Sequence, residues 1–232
     1  MHGKQNIFFL DTLSKPQHIW GFIYLPIHIF VLPLLLAMLA YYLPGGLAES
    51  DVQIIYYGAG FAFCLICMWK YLRNAFDILL DNKVRNLTAV LFAYVIYTML
   101  VFAVSALLLW ILGDDILNPN NEAVSDMSDN NYGVVLALAV FVAPVVEETL
   151  FRGVLFGSLL KKNRILAFAL SIAAFGIYHI WQYTLYSMDW RTLIYALQYI
   201  PAAYAFAWLY EKTSCIWLPI FLHMGINLFA LI

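Results

Sequence analysis

Long apolar runs recur along the whole chain and are separated by polar segments. Each run approaches or exceeds the roughly 20 residues that an α-helix needs to cross the hydrocarbon core of a bilayer. The pattern therefore predicts an all-α, polytopic integral membrane helical bundle of about seven transmembrane helices. The predicted spans are Trp20–Leu43, Val52–Leu72, Leu87–Leu112, Val134–Leu160, Ile165–Ser187, Trp190–Tyr210 and Cys215–Ile232.

The segment Arg73–Asn86 has a different pattern, with polar residues on one side and apolar residues such as Phe76, Ile78 and Leu79 on the other. An amphipathic helix of this kind lies in the membrane interface rather than across it. We therefore expect an eighth, interfacial helix at this position.

Composition supports a membrane protein without a separate soluble domain. The 232 residues are 64% hydrophobic and 11% charged, with a mean hydropathy of +0.82. Soluble domains are about 45–50% apolar and about 25% charged. There is also no basic patch or Gly-rich phosphate loop, so no nucleic-acid partner is expected.

The distribution of basic residues predicts the topology, because cytoplasmic loops retain Lys and Arg. An N-terminus on the cytoplasmic side leaves only Arg191 outside and Arg152 within the membrane. The acidic segment from Gly113 to Gly133 is then an external loop, and Ile232 is external too. The residues placed on the cytoplasmic side are Lys4, Lys15, Lys70, Arg73, Lys83, Arg85, Lys161, Lys162, Arg164 and Lys212.

The first apolar run and the three cysteines are typical of membrane-spanning segments. The first apolar run is too long for the apolar region of a signal peptide, and we interpret it as a retained span. Cys64 and Cys67 have a redox or metal-ligand spacing. Since no second pair of this kind exists and both lie inside a span, we interpret them, like Cys215, as buried small residues.

Several ionisable residues fall inside the predicted spans, where a charge costs at least about 2.5–3.5 kcal/mol and usually has a partner. At about 1.5 Å of rise per residue, the polar groups of three different helices reach the middle zone of the bilayer. These groups are therefore candidate functional residues. They are Glu147, Glu148, Arg152, His179 and His223, accompanied by the uncharged Asn227 and Gln198.

The spacing within each helix indicates which of these groups lie on the same helix face. Glu148 and Arg152 are four residues apart, so they lie on one helix face where the guanidinium can hold the carboxylate ionised. Glu147 points about 100° away from Glu148 and is free to act on a water. His223 is likewise four residues before Asn227.

Pro144 is expected to kink its span or to start a new helical segment just before Glu147, because it frees a backbone carbonyl. Freed backbone at this depth must be satisfied by protein or by water that lines a cavity. A hydrated pocket beside the glutamates is therefore predicted. Close approach of the neighbouring helices is expected at small residues, namely Ala173, Ala174, Gly176, Ala202, Ala203 and Ala205.

Each feature alone also has a structural interpretation. A Glu–Arg pair can be a packing clamp, and a lone imidazole such as His18 or His28, like Gln198, can simply form a hydrogen bond between helices. Two acids, two imidazoles and an amide at one depth, however, provide a general base, metal ligands or oxyanion donors. The chain has no H-E-x-x-H, G-x-S-G or G-x-G-D motif and no intramembrane Asp.

Three ordered motifs carry a resemblance to a known family. Glu147-Glu148-x-x-x-Arg152, Phe175-x-x-x-His179 and His223-x-x-x-Asn227 resemble the motifs of the CPBP intramembrane proteases, also called the Abi or CAAX-protease-like family. The resemblance covers residues 133–232, which would be the catalytic core. Residues 1–132, with the first three spans and the external acidic loop, carry no motif.

The resemblance implies an intramembrane endopeptidase that acts on a peptide or a lipidated protein in the lipid bilayer. Glu147 and His179 would activate a water, His223 and Asn227 would stabilise the oxyanion, and Glu148 with Arg152 would shape the site. Members include the endopeptidase of prenylated CAAX proteins and bacterial relatives linked to bacteriocin maturation or immunity. The placement of the charges fits a cell membrane, with a eukaryotic internal membrane as the alternative.

The residues leave alternatives open. Glu147, His179 and His223 are also suited to a divalent metal such as zinc, whose bound water would be the nucleophile. A scaffold or bacteriocin-immunity protein would use the same pocket to bind a partner membrane protein without catalysis. A proton-coupled transporter is less favoured, because no internal repeat is visible.

Overall fold

The computed structural model describes residues 13–81, 83–113 and 118–231. These residues form eight continuous helices and contain no β-strand. The helices are α1 (Lys15–Tyr42), α2 (Glu49–Cys67), α3 (Trp69–Asp81), α4 (Lys83–Leu112), α5 (Pro119–Leu160), α6 (Arg164–Ser187), α7 (Trp190–Thr213) and α8 (Trp217–Leu231).

The all-α membrane bundle predicted from the sequence is confirmed. Helices α1, α2, α4, α5, α6 and α7 are six helices that are long and apolar enough to cross a membrane. The seventh predicted span corresponds to α8, which has only 15 residues in the described part of the chain. Residues Lys4, Asp114, Asp115 and Ile232, which enter the topology prediction, lie outside the described residues.

The segment from Gly113 to Gly133, which was predicted to be an external acidic loop, is helical from Pro119 onward. Helix α5 begins at Pro119, and the side chain of Asn118 caps it by accepting a hydrogen bond from the backbone N–H of Asn120 at 2.9 Å. Non-helical dihedral angles occur at Asn131 alone within this first segment. An N-cap Asn followed by Pro is a strong helix start, and it outweighs the polar composition.

The amphipathic helix exists as a separate element, but its bounds differ from the predicted Arg73–Asn86. It is α3, Trp69–Asp81, with Tyr71 and Leu72 among the residues of its buried face. The predicted second span is also too long, because α2 ends at Cys67. Asn86 already belongs to α4 and donates a hydrogen bond from Nδ2 to the Leu79 carbonyl at 3.0 Å.

Helices α6 and α7 pack closely at Gly176, one of the small residues that the sequence marked. A Cβ atom added to Gly176 would lie 2.8 Å from the backbone oxygen of Ala196 on α7. Because that atom belongs to the backbone of a packed helix, it cannot move aside as a side chain would. Gly176 therefore sets the separation of the two helices one helical turn from His179.

We expect Gly176→Ala to lower the free energy of unfolding by about 1–3 kcal/mol, the usual cost of overpacking. Thermal unfolding of the detergent-solubilised protein measures the change. Gly58→Ala is the matched control, because a Cβ there meets no atom within 4 Å. That control should be neutral or slightly stabilising, since Ala is the better helix former. Equal loss in both variants would refute the packing argument.

Candidate active site

The local geometry of α5 places two glutamates side by side in the middle of the bundle. The helix is π-helical at Leu136–Val142, then α-helical at Ala143–Glu148, then π-helical again at Thr149–Phe156. Pro144 lies in the first turn of the α-helical segment, where its missing N–H is tolerated. The fresh helical segment expected at Pro144 is therefore confirmed, although the π-helical turns on either side were not foreseen.

Glu147 is almost completely buried, and its two carboxylate oxygens have different surroundings. Oε1 accepts hydrogen bonds from the hydroxyl groups of Tyr57 at 3.3 Å and Tyr178 at 3.5 Å. Oε2 has no hydrogen-bond partner among the described residues. It lies 3.9 Å from Nε2 of His179 and 3.9 Å from Nε2 of His223. One oxygen is thus held in place and the other faces two imidazoles.

The hydrogen bonds of the two imidazoles indicate which ring nitrogen carries a proton. Nδ1 of His179 lies 2.8 Å from the Phe175 carbonyl oxygen, which can only accept, so Nδ1 is the donor. Nδ1 of His223 lies 2.9 Å from Oε1 of Glu148. Both rings therefore turn Nε2 toward Glu147. Each ring also stacks on an aromatic side chain, His179 on Tyr199 and His223 on Phe206.

Glu148 and Arg152 form a fully buried pair behind the imidazole of His223. Arg152 Nη1 lies 3.1 Å from Oε1 of Glu148, and Nη2 donates to the Ala203 carbonyl at 3.1 Å. The guanidinium carbon also lies 4.2 Å from the ring centroid of Phe175. The pair does more than shape the site: Oε1 of Glu148 accepts hydrogen bonds from both Arg152 and His223, so it orients that imidazole.

The amide of Asn227 is fixed by the π-helical segment of α5. Its Nδ2 donates a hydrogen bond to the carbonyl oxygen of Ala139 at 2.7 Å. An amide nitrogen carries two N–H groups, so one of them stays available. Asn227 lies one helical turn beyond His223 on α8, and both line the cavity described next.

One cavity of about 1330 Å³ connects these groups. Glu147, His179, His223 and Asn227 all line it, and they come from α5, α6 and α8. Glu148 and Arg152 are not among its lining residues. The structure thus brings the six predicted site residues together, four at the cavity wall and two directly behind it.

The tyrosines that hold Glu147 were not predicted from the sequence. Tyr57 comes from α2 and lies 90 residues away in sequence, and its hydroxyl is 3.5 Å from that of Tyr178. The hydroxyl of Tyr56 lies 3.2 Å from that of Tyr178 and donates to the His28 carbonyl at 3.0 Å. The only signal in the sequence was the position of Tyr178 beside His179, because tyrosines occur throughout the chain.

The remaining polar residues behave mostly as structural groups. Nδ1 of His18 lies 3.0 Å from the hydroxyl of Ser158, and Gln198 accepts a hydrogen bond from Asn118 at 2.7 Å, which confirms both as links between helices. His28 differs, because its buried ring has no hydrogen-bond partner among the described residues and stacks on Tyr56 instead.

The three cysteines have no disulfide bond. Cys64 and Cys215 are buried and Cys67 is partly buried, as expected for small apolar residues in a helix bundle.

The chemistry and spacing of Glu147, His179 and His223 decide whether these residues could hold a metal ion. Carboxylate and imidazole donors suit zinc, and an imidazole whose other nitrogen donates to a carbonyl or carboxylate is typical of a zinc ligand. Bonds of about 2.0–2.1 Å would, however, place tetrahedral donors about 3.3 Å apart. The separation from Oε2 of Glu147 to each Nε2 is 3.9 Å. No group of three His, Cys, Asp or Glu residues in the described part of the chain has the geometry of a metal site.

Comparisons with known proteins agree with the motifs. Residues 129–229 match the family model described as type II CAAX prenyl endopeptidase Rce1-like. The chain is 32% identical over 114 residues to a protein of Bacillus subtilis (strain 168) named putative membrane peptidase YdiL, and the match covers 49% of this chain and 42% of that protein. This chain therefore spans less than half of the length of that relative. No solved structure gives a significant match.

Proposed function

We propose that this chain, whose residues 129–229 match the Rce1-like family model, is an intramembrane endopeptidase of the CAAX-protease-like family and that its nucleophile is a water activated by Glu147 and His179. The observation that carries the proposal is the unpartnered Oε2 of Glu147, buried in a cavity and aimed at two imidazole nitrogens. A mechanism in which a base activates water inside a bilayer needs such a group beside a space for that water.

The geometry suits a water between Glu147 and His179. Since hydrogen bonds to oxygen are about 2.8 Å long, acceptors 3.9 Å apart can share one molecule. The water donates one hydrogen to Oε2 of Glu147 and the other to the lone pair of Nε2 of His179. This fixes the orientation of the water oxygen toward the substrate carbonyl, and Glu147 takes the proton as the new C–O bond forms.

The charges of the buried groups balance if His223 carries both ring protons. Glu147 and Glu148 then supply two negative charges, and Arg152 and His223 supply two positive charges, while His179 is neutral. A neutral cluster minimises the cost of burying charge. Glu148 accepts the Nδ1–H of His223, so the Nε2–H of that imidazole is free to donate to an oxyanion.

The tetrahedral intermediate is stabilised by two donors in this proposal. Nε2–H of His223 and the second amide N–H of Asn227 donate to the oxyanion, and removal of one such donor typically costs about 10²–10³-fold in rate. Glu147 then transfers its proton to the nitrogen of the leaving amine as the C–N bond breaks. The products are a carboxylic acid and an amine, and the base is regenerated.

The direct test is to incubate the purified protein in detergent with prenylated CAAX peptides and with hydrophobic leader peptides, and to identify products by mass spectrometry. We expect hydrolysis at one discrete bond in at least one peptide class. We also expect the rate to survive a chelator, because the donors are spaced more widely than a tetrahedral zinc site requires. Intact peptides from a folded, helical sample would contradict the function, and loss of activity with the chelator, restored by zinc, would contradict the mechanism.

A smaller effect is expected at the tyrosine that holds the base. Tyr57→Phe removes one hydrogen bond to Oε1 of Glu147, and loss of about 1.5 kcal/mol would lower kcat roughly tenfold with little change in KM. Tyr97→Phe is the control, since Tyr97 lines the same cavity but makes no hydrogen bond to Glu147. Equal losses of kcat in the two variants would exclude a positioning role.

A further inference from the structure

In the part of the chain that the structure describes, the cavity reaches the catalytic groups from one end of the bundle only. Helices α1, α4 and α6 run in one direction, and they contribute no lining residue before Pro33, Tyr97 and Phe175 respectively. Helices α2 and α5 run the opposite way and contribute none after Tyr57 and Glu147. Helix α7 contributes no lining residue after Phe206, α8 contributes none before His223, and α3 contributes none at all. The lining residues of each helix therefore stop short of the opposite end of the bundle.

The end of the bundle from which the cavity enters is open, because residues that line the cavity there are exposed. Lining residues close to the connection between α1 and α2 and to the start of α5, including Glu49, Ser125 and Asp129, are exposed. Tyr186, near the end of α6, is 93% exposed and lines the cavity as well. Glu147 lies at the deep limit of the cavity on α5, where it is 2% exposed.

The opposite end of the bundle is closed by α3 and the start of α8. Trp217 Nε1 donates to the Leu72 carbonyl at 2.8 Å, and Cys215 Sγ donates to the Ala75 carbonyl at 3.3 Å. The hydroxyl groups of Tyr71 and Tyr210 are 2.8 Å apart and buried. These contacts fill the space between Glu147 and the closed end with packed side chains.

The closed end is also the basic end. Lys15 begins α1, Lys83 begins α4, and Lys161, Lys162 and Arg164 lie at the connection between α5 and α6. Among the described residues, the connections at the open end carry only Arg191, near the start of α7. Because Lys and Arg are retained on the cytoplasmic side of a membrane, the open end faces the other side.

We infer that substrate reaches Glu147 from the extracytoplasmic face, so that the substrate class is a peptide segment exposed on that face rather than a cytoplasmic C-terminal tail. The identification of the ligand as a substrate rests on the proposed protease function. The direction of access rests on the cavity and the charges alone. Glu49 and Asp129 line the mouth, and no Lys or Arg is found among the described lining residues. Neutral or cationic segments are therefore preferred over acidic ones.

Thiol labelling tests the direction of access without any need for catalysis. Ser105→Cys places a thiol on the cavity wall, and Lys162→Cys places one on the connection between α5 and α6. The wild-type protein with its three native cysteines gives the background. In intact spheroplasts, a membrane-impermeant maleimide should label Ser105→Cys fully, and should label Lys162→Cys only after permeabilisation. The reverse pattern would overturn the inference.

A cleavage experiment in oriented vesicles then separates this inference from the protease proposal. Water-soluble leader peptides added to right-side-out vesicles should be cleaved, and the same peptides added to inverted vesicles should be spared until detergent opens them. Variants of the peptides with acidic flanks should be cleaved more slowly than those with lysine flanks. Cleavage in inverted vesicles alone contradicts the access direction, whereas no cleavage even in detergent contradicts the protease function and leaves the labelling result standing.

Discussion

Glu147→Gln is expected to lower peptide hydrolysis by about 10²–10⁴-fold, the contribution of a positioned general base. The amide keeps the size of the side chain and can still accept from Tyr57 and Tyr178, so the fold should persist. It cannot, however, take a proton from water at neutral pH. The rate of product formation by purified protein, measured against the wild type at equal helical content, gives the size of the effect.

Glu211→Gln is the matched control for this variant. Glu211 is a second buried glutamate, but it accepts hydrogen bonds from Arg164 at 2.5 and 2.9 Å at the closed end of the bundle and does not line the cavity. Its replacement should leave the cleavage rate close to that of the wild type. A Glu147→Gln protein that cleaves at the wild-type rate would remove Glu147 from the mechanism.

Arg152→Leu is expected to be the most destabilising single change, with a loss of about 3–5 kcal/mol in the free energy of unfolding. The substitution leaves the carboxylate of Glu148 at 0% exposure without its guanidinium partner. It also removes the contacts of the guanidinium with the Phe175 and Phe206 rings. Thermal unfolding in detergent, followed by circular dichroism, measures the loss.

The double variant Glu148→Leu/Arg152→Leu separates stability from catalysis. Replacing both members of a buried pair by apolar side chains is often neutral, so most of the stability should return. Activity should stay low, because His223 would lose the acceptor of its Nδ1–H. If the double variant were as unstable as Arg152→Leu alone, the unpaired carboxylate would not be the cause.

The composition and spacing of the chain were enough to predict the bundle and to group its site residues. An ionisable side chain inside an apolar run is costly, so Glu147, His179 and His223 stood out without any structure. The pairing of Glu148 with Arg152 followed from their spacing on one helix. These inferences depend only on the residues themselves and on the helical repeat.

Contacts between distant segments could not be predicted in the same way. No helical period relates Tyr57 to Glu147, and nothing in the spacing showed that Oε1 of Glu148 would hold His223 on α8. The helical start of α5 at Pro119 was misinterpreted because its exposed polar residues resemble a loop. The π-helical turns beside Pro144 depend on how α5 packs against its neighbours, which the local sequence does not specify.

The most direct test of the account is a high-resolution structure of the protein in a lipid bilayer, in which ordered solvent can be seen. We expect a solvent molecule within hydrogen-bond distance of both Oε2 of Glu147 and Nε2 of His179, in a cavity that His223 and Asn227 also line. The account would be contradicted if these side chains pointed into lipid or were separated by packed hydrocarbon without room for a water.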